Sequence, residues 1–209
     1  MKSYLPISYI QEAPVAKRDM EPKRRSALVD AAIQEIGTHG SLDVTVSQIA
    51  RRAGMSSALA HHYFGSKEQI FSATMRHILQ LYGAQVRGAL AMARTPEERI
   101  EAIVRASFTS TSQRPEVIAA WMNFYVQAQK TPASARLLRI YQRRLHSNLY
   151  HGFRQIIPEQ AALLAQGVAA MIDGLYCRHV LRTGSQVSGH SVKTLLHYIS
   201  LALNEANRK

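Results

Sequence analysis

The chain has 209 residues and 46% hydrophobic content, enough for one or two domains with a buried core; it has no apolar run of the ~18 residues that a membrane helix needs. A single cysteine, Cys177, excludes an intrachain disulfide and a cysteine-based zinc site. The net charge of +12 invites a polyanionic partner, but residues 1–67 carry only +3 of it and residues 68–209 carry +9, so the excess does not mark one nucleic-acid footprint.

The first 20 residues, with Pro6 and Pro14 among mixed polarity, read as a flexible arm. They hold no apolar signal core, which predicts a cytoplasmic protein. From Glu21 a helical period takes over, with Leu28, Ile33 and Ile36 near one face and Gly40 as the stop. Thr45 is placed to cap a short helix whose inner face is Val46, Ile49, Ala50 and Ala53. Gly54 supplies a sharp turn and Ser56 caps the next helix. Ser66-Lys67-Glu68-Gln69 is a capping box. Thr95-Pro96-Glu97, Arg114-Pro115-Glu116, Thr131-Pro132 and Ile157-Pro158-Glu159 each offer proline at a first helical position. A loop is expected near Thr183-Gly184-Ser185. No period-2 alternation is long enough for a strand. The spacing predicts an all-α protein of about nine helices, at roughly 22–39, 45–52, 56–62, 66–93, 96–113, 115–130, 132–155, 159–182 and 189–206. It divides into an arm (1–20), a three-helix helix-turn-helix domain (21–67) and a larger helical domain (68–209).

The stretch from Val44 to Lys67 contains no acid, while Arg51, Arg52, His61, His62 and Lys67 lie in it. A surface that touches phosphates excludes carboxylates from the contact. The helix after Ser56 is short, and its outward residues Ser57, Ala58, His61 and His62 are small or polar, as a helix lying in a major groove requires. An ordinary helical hairpin is the competing reading.

The segment Gly54-Met55-Ser56-Ser57-Ala58-Leu59-Ala60-His61-His62-Tyr63-Phe64-Gly65-Ser66-Lys67 resembles the end of the DNA-binding domain in the TetR family of transcriptional repressors. It matches at Gly54, Ser56, Phe64 and Lys67, and departs at Ala58 and His61, where glycine and tyrosine are usual. The resemblance implies a dimer on double-stranded operator DNA. It implies that Thr45 touches phosphate, that Ser56, Ser57, Ala58, His61 and His62 face bases or backbone, and that Tyr63 and Lys67 clamp phosphates. Arg24 and Arg25 lie where they could approach the backbone, or they form a solvated charge run. In TetR-like proteins the last two helices pair with the partner, and the apolar stripes of 159–182 and 189–206 fit that role.

Further on, Ala120-Trp121-Met122-Asn123-Phe124-Tyr125, Arg143–Leu149 and Ala170–Tyr176 are similar to the choline-responsive repressors of that family, which control glycine-betaine synthesis. The resemblance implies a small inducer, choline or a related quaternary ammonium compound. A regulator of another pathway, with a different inducer or none, is the alternative. The residues leave several readings open. Trp121, Phe124 and Tyr125 at i, i+3 and i+4 make either core packing or the walls of a ligand site. Asp173 is the sole acid between Glu159 and Glu205 and sits in an apolar run. It needs a partner: Arg178 or another arginine, a bound cation, or a neighbour at a dimer interface. Tyr176 lies one turn on from it. Aromatic faces around one carboxylate are what a quaternary ammonium requires, since it has no N–H to donate.

Nothing points to catalysis. There is no Gly-rich phosphate loop or nucleophile elbow, and the pairs His61/His62, His146/His151 and His190/His197 lack metal-binding spacing. The sequence predicts no enzyme activity, no metal and no cofactor.

Overall fold

The computed structural model describes residues 17–180 and 188–206. They form nine helices: α1 (Lys17–His39), α2 (Val46–Arg52), α3 (Ser57–Phe64), α4 (Lys67–Met92), α5 (Pro96–Ser107), α6 (Pro115–Lys130), α7 (Pro132–Ile156), α8 (Ala161–Val180) and α9 (Ser188–Ala206). No strand occurs among these residues, in line with the all-α expectation.

The caps act where the sequence places them. Thr45, Ser56, Ser66 and Thr95 each accept a hydrogen bond from a backbone N–H in the first turn that follows, and Thr45 and Ser66 form full capping boxes with Gln48 and Gln69. Pro96, Pro115 and Pro132 open their helices.

Three boundaries differ from expectation. α1 starts at Lys17, inside the expected arm, and runs through Pro22, which lies inside the helix and has no N–H to give to the ladder; residues 1–16 of that arm lie outside the described residues. α5 ends at Ser107 and not near residue 113. There the Ser107 hydroxyl donates to the Ile103 carbonyl at 2.9 Å, and Phe108 turns out of the helix to be buried. Ser112 then stabilises the loop by donating to the Thr109 carbonyl at 2.8 Å. Hydroxyls competing for backbone groups end this helix without a glycine or proline. α8 begins at Ala161, after a turn through residues 158–160. The expected loop at 183–185 lies outside the described residues.

The core is continuous from end to end. Leu28, Ala32 and Ile36 of α1 meet Val44, Ile49, Ala50, Ala60 and Ile70, all at most 2% exposed. The body packs α5 and α6 each on α7 and all three against α4, with α8 on α7 and α9 on α5 and α8. α4 spans about 39 Å at 1.5 Å per residue, and its packing partners include α1 and α3 as well as body helices. α6 is the second link, packed along α1. The Glu116 Cβ sits so near Gly37 that a Cβ added there would meet it at 2.3 Å. Any larger residue at 37 would push the two helices apart.

Candidate DNA-binding surface and ligand cavity

The α2–α3 angle is held by local chemistry. Gly54 takes φ of +68° and donates its N–H to the Arg51 carbonyl at 3.1 Å, which closes α2. Met55 donates to the Ala50 carbonyl at 2.9 Å. Ala50 and Ala60 are fully buried, so the helices cross at small residues. The Ser57 hydroxyl donates to Ser47 Oγ at 2.9 Å and ties α3 to α2. Behind this pair, buried Glu35 of α1 accepts from Arg52 Nε of α2, and His39 Nδ1 lies 3.4 Å from its other oxygen. A periodicity argument could not see this brace, because it joins residues 17 apart on different helices.

On α3, residues 57, 58, 61 and 62 fall within roughly 140° of the helix circumference, opposite buried Ala60. Ala58, His61 and His62 are exposed and Ser57 is half-buried. Ser56 and Thr45, at the two caps, are exposed as well. His61 Nδ1 lies 2.9 Å from the Gly65 carbonyl. A carbonyl only accepts, so Nδ1 carries the proton and Nε2 remains for an outside partner. The Tyr63 hydroxyl accepts from Arg24 Nη1 at 3.2 Å, and the Arg25 guanidinium lies over the Tyr63 and Phe64 rings at 5.7 and 5.2 Å. These two arginines are thus packed against α3 and not merely solvated. Lys67 opens α4 with its ammonium 5.6 Å from the Phe71 ring centre. Its neighbour Glu68 is held below the usual carboxylate range by its backbone hydrogen bond and the Ser66 hydroxyl. The acid-free surface therefore stops at a carboxylate in the first turn of α4.

A second site lies in the body. Trp121 and Tyr125 of α6, Tyr141 of α7, and Ile172, Asp173 and Tyr176 of α8 line one small, narrow cavity. The Trp121 ring centre lies 5.0 Å from that of Tyr141, 5.7 Å from Tyr125 and 6.4 Å from Tyr176. Asp173 Oδ1 accepts from the Tyr141 hydroxyl at 2.8 Å. Burial pushes its carboxyl above the usual range, and the hydrogen bonds of Tyr141 and Tyr125 only partly offset this. Burial likewise raises the phenols of Tyr125, Tyr141 and Tyr176, and takes Tyr82 up to about 12. The Tyr176 hydroxyl donates to the Ser112 carbonyl at 2.6 Å, which fixes that ring from the α5–α6 loop. The Cys177 thiol is also raised by burial, with Asp173 adding to it.

Two expectations about this region are corrected. Arg178 is exposed and does not pair with Asp173; the carboxylate faces phenols, and among the described residues no cation forms an ion pair with it. Phe124, expected beside Trp121 and Tyr125 as a ligand residue, lies outside the Asp173 cavity. It packs with Ile36, Leu42 and Phe71 where the body meets α1, and touches Trp121 edge-on with ring centres 5.8 Å apart. At 100° per residue, positions 124 and 125 diverge to opposite sides of position 121. Sequence reasoning missed Tyr141 and also Tyr82, which stands behind Tyr141 at 5.7 Å. It also missed Asn123, whose amide donates to the Gly40 carbonyl at 3.2 Å.

Among the described residues no helix is long and apolar enough to cross a membrane, and no group of His, Cys, Asp and Glu is arranged to hold a metal ion.

Known proteins account for both halves of this architecture. Residues 28–74 match the profile of bacterial regulatory proteins of the tetR family, and residues 96–203 match that of BetI-type transcriptional repressors, C-terminal. The chain is 49% identical over 188 residues to the HTH-type transcriptional regulator BetI of Brucella anthropi, covering 90% of this chain and 97% of that one. It is 53% identical over 168 residues to the BetI regulator of Agrobacterium fabrum, covering 80% and 82%. Two solved structures share the fold. One is a putative transcriptional regulator from Pseudomonas aeruginosa PAO1, at TM-score 0.78 and 22% identity, covering 90% of this chain and 93% of that one. The other is a putative transcriptional regulator from Saccharomonospora viridis in complex with choline, at TM-score 0.77 and 20% identity, covering 86% and 96%. The chain belongs to the TetR family of DNA-binding transcriptional repressors, in its BetI-type branch.

Proposed function

We propose that this repressor works as a dimer that grips operator DNA with α3 and releases it when a quaternary ammonium ligand, choline or a close analogue, enters the Asp173 cavity. The observation that carries the reading is a half-buried carboxylate with no cationic partner among the described residues, walled by the rings of Trp121, Tyr125, Tyr141 and Tyr176. A quaternary ammonium supplies the missing positive charge and binds π faces without needing an acceptor. The choline bound to the S. viridis regulator of the same fold supports this choice of ligand.

Residues 21–67 serve as the DNA-binding domain and 68–209 as the ligand-binding and dimerisation body. Thr45 and Lys67 hold phosphates at the edges of the α3 face. Ser56, Ser57, Ala58, His61 and His62 meet the groove, and Tyr63, braced by Arg24, reaches the backbone. The partner subunit packs on α8 and α9, where Leu163 and Leu201 are 70% and 54% exposed. Binding is transmitted through α6. It carries Trp121 and Tyr125 into the cavity while Glu116 and Asn123 press and bond on α1. A shift of α6 on cation binding changes the spacing of the two recognition helices, which must match successive major grooves about 34 Å apart.

Calorimetric titration with choline tests the ligand. The reading predicts saturable binding that Asp173→Asn weakens at least tenfold. Absence of heat at millimolar choline overturns the choline assignment and leaves the repressor standing.

A further inference from the structure

The body carries three times the net positive charge of the N-terminal 67 residues, and the two sites above do not use it. Much of it lies on α7. This helix holds five arginines and two histidines and no acid. Its buried residues Tyr141, Leu145, Leu149, Gly152 and Phe153 take one side. Arg136, Arg139, Arg143 and Arg154 fall within roughly 60° on the opposite side, and all four are exposed. Among the described residues the ion pairs engage Arg25, His39, Arg52, Arg105 and Arg114, none of them on this face. Arg154 rests over the Tyr150 ring at 5.9 Å, which holds its charge outward along the helix.

An ordinary solvated helix face mixes both signs in i, i+4 pairs. A single-sign face of arginines repels itself, and a polyanion relieves that repulsion while releasing the face's counterions. The four arginines span about 27 Å at 1.5 Å per residue, close to eight base pairs at about 3.4 Å each. The first turn of α7 lies beside α1, where Ser134 lines the same small cavity as Ile36 and Leu42. Its far end packs on the start of α5, with Gly152 against Ile100 and Pro96. The strip therefore runs away from the helix-turn-helix domain along the body.

We propose that the Arg136–Arg154 face of α7 is a second, sequence-independent nucleic-acid surface that holds a different segment of double-stranded DNA from the one α3 reads. Each chain then links two duplex segments, one recognised by shape and bases, the other held by phosphate charge alone.

The test uses the full-length protein and two short non-operator duplexes, one labelled with a donor fluorophore and one with an acceptor, at low salt. Energy transfer reports bridging, and anisotropy of one duplex reports simple binding. The wild-type protein brings the duplexes together, and added salt abolishes the transfer as counterion release demands. The variant R136Q/R139Q/R143Q/R154Q needs at least tenfold more protein to bridge, while its single-duplex binding changes less than about threefold; R143Q/R154Q gives an intermediate loss should the fourfold variant fold poorly. Failure of the wild type to bridge, or bridging by R143Q/R154Q and the fourfold variant at wild-type concentrations, overturns the proposal and leaves α7 to an acidic protein partner or to solvent.

Discussion

The side-chain amide of Asn123 donates to the Gly40 carbonyl, 3.2 Å away, and so joins the middle of α6 to the end of α1. Trp121 and Tyr125 lie two residues to either side of Asn123, which turns them roughly 200° away toward the ligand cavity. One turn of helix thus touches both halves of the molecule. Removing this bond by Asn123→Ala should leave ligand affinity and DNA affinity each near wild type while weakening their coupling. A coupling loss of roughly 0.5–2 kcal/mol raises the ligand concentration needed for release by roughly 2- to 30-fold. Anisotropy of labelled operator DNA against ligand concentration measures it.

Gly37 predicts a different outcome. Its Cβ-less face admits Glu116 of α6, and an alanine there meets both Cβ and Cα of Glu116 below 2.7 Å. Helix propensity alone would favour alanine by about 1 kcal/mol. Overpacking against backbone outweighs it at about 1–3 kcal/mol. Net of the propensity gain the loss is up to about 2 kcal/mol, so for a chain of this size Gly37→Ala should lower Tm by up to roughly 8 °C, read by thermal denaturation without ligand.

Asp173 supplies a pH dependence whose sign is fixed. Burial raises its carboxyl above the usual value in the folded protein. A raised acid contributes stability below its unfolded value, and that contribution is lost as pH rises through the folded value. At neutral pH the ionised group therefore destabilises the ligand-free protein, and Asp173→Asn should raise its Tm. A permanently charged ligand needs the ionised form, so choline affinity should fall as pH drops through the raised value. Thermal shifts with and without choline across pH 4–8 check both signs.

The α3 surface depends on the absence of acid. Ala58→Glu places a carboxylate on the exposed face of α3 and should abolish operator binding without moving Tm or choline affinity. Lys67→Ala should weaken operator and non-operator DNA alike and reduce the slope of log K against log salt by about 0.9, the release of one phosphate contact. Salt titrations of binding to both DNAs distinguish the two variants.

The helix-turn-helix was legible because it is local. Thr45, Gly54, Ser56 and Ser66 act on backbone groups within a few residues, and spacing reports such contacts directly. The cavity was legible only in part. Asp173 stood out as an acid in an apolar run, and Trp121, Tyr125 and Tyr176 as aromatics at helical spacing. Tyr141 comes from a helix between them in sequence and meets Asp173 through packing that no periodicity encodes. The same holds for Glu35 with Arg52 and Asn123 with Gly40. The end of α5 escaped because hydroxyl groups close it, and serine and threonine are far weaker sequence signals than glycine or proline.

The most direct test of the account is release itself. Labelled duplex from the region upstream of the gene is bound by wild-type protein and by Asp173→Asn, and choline is then titrated into both. The account predicts that both proteins bind the same fragment and that millimolar choline releases the wild type. The variant should hold its DNA until at least tenfold more choline is present. Equal release from both proteins, or none from the wild type, would contradict a cation cavity governed by Asp173.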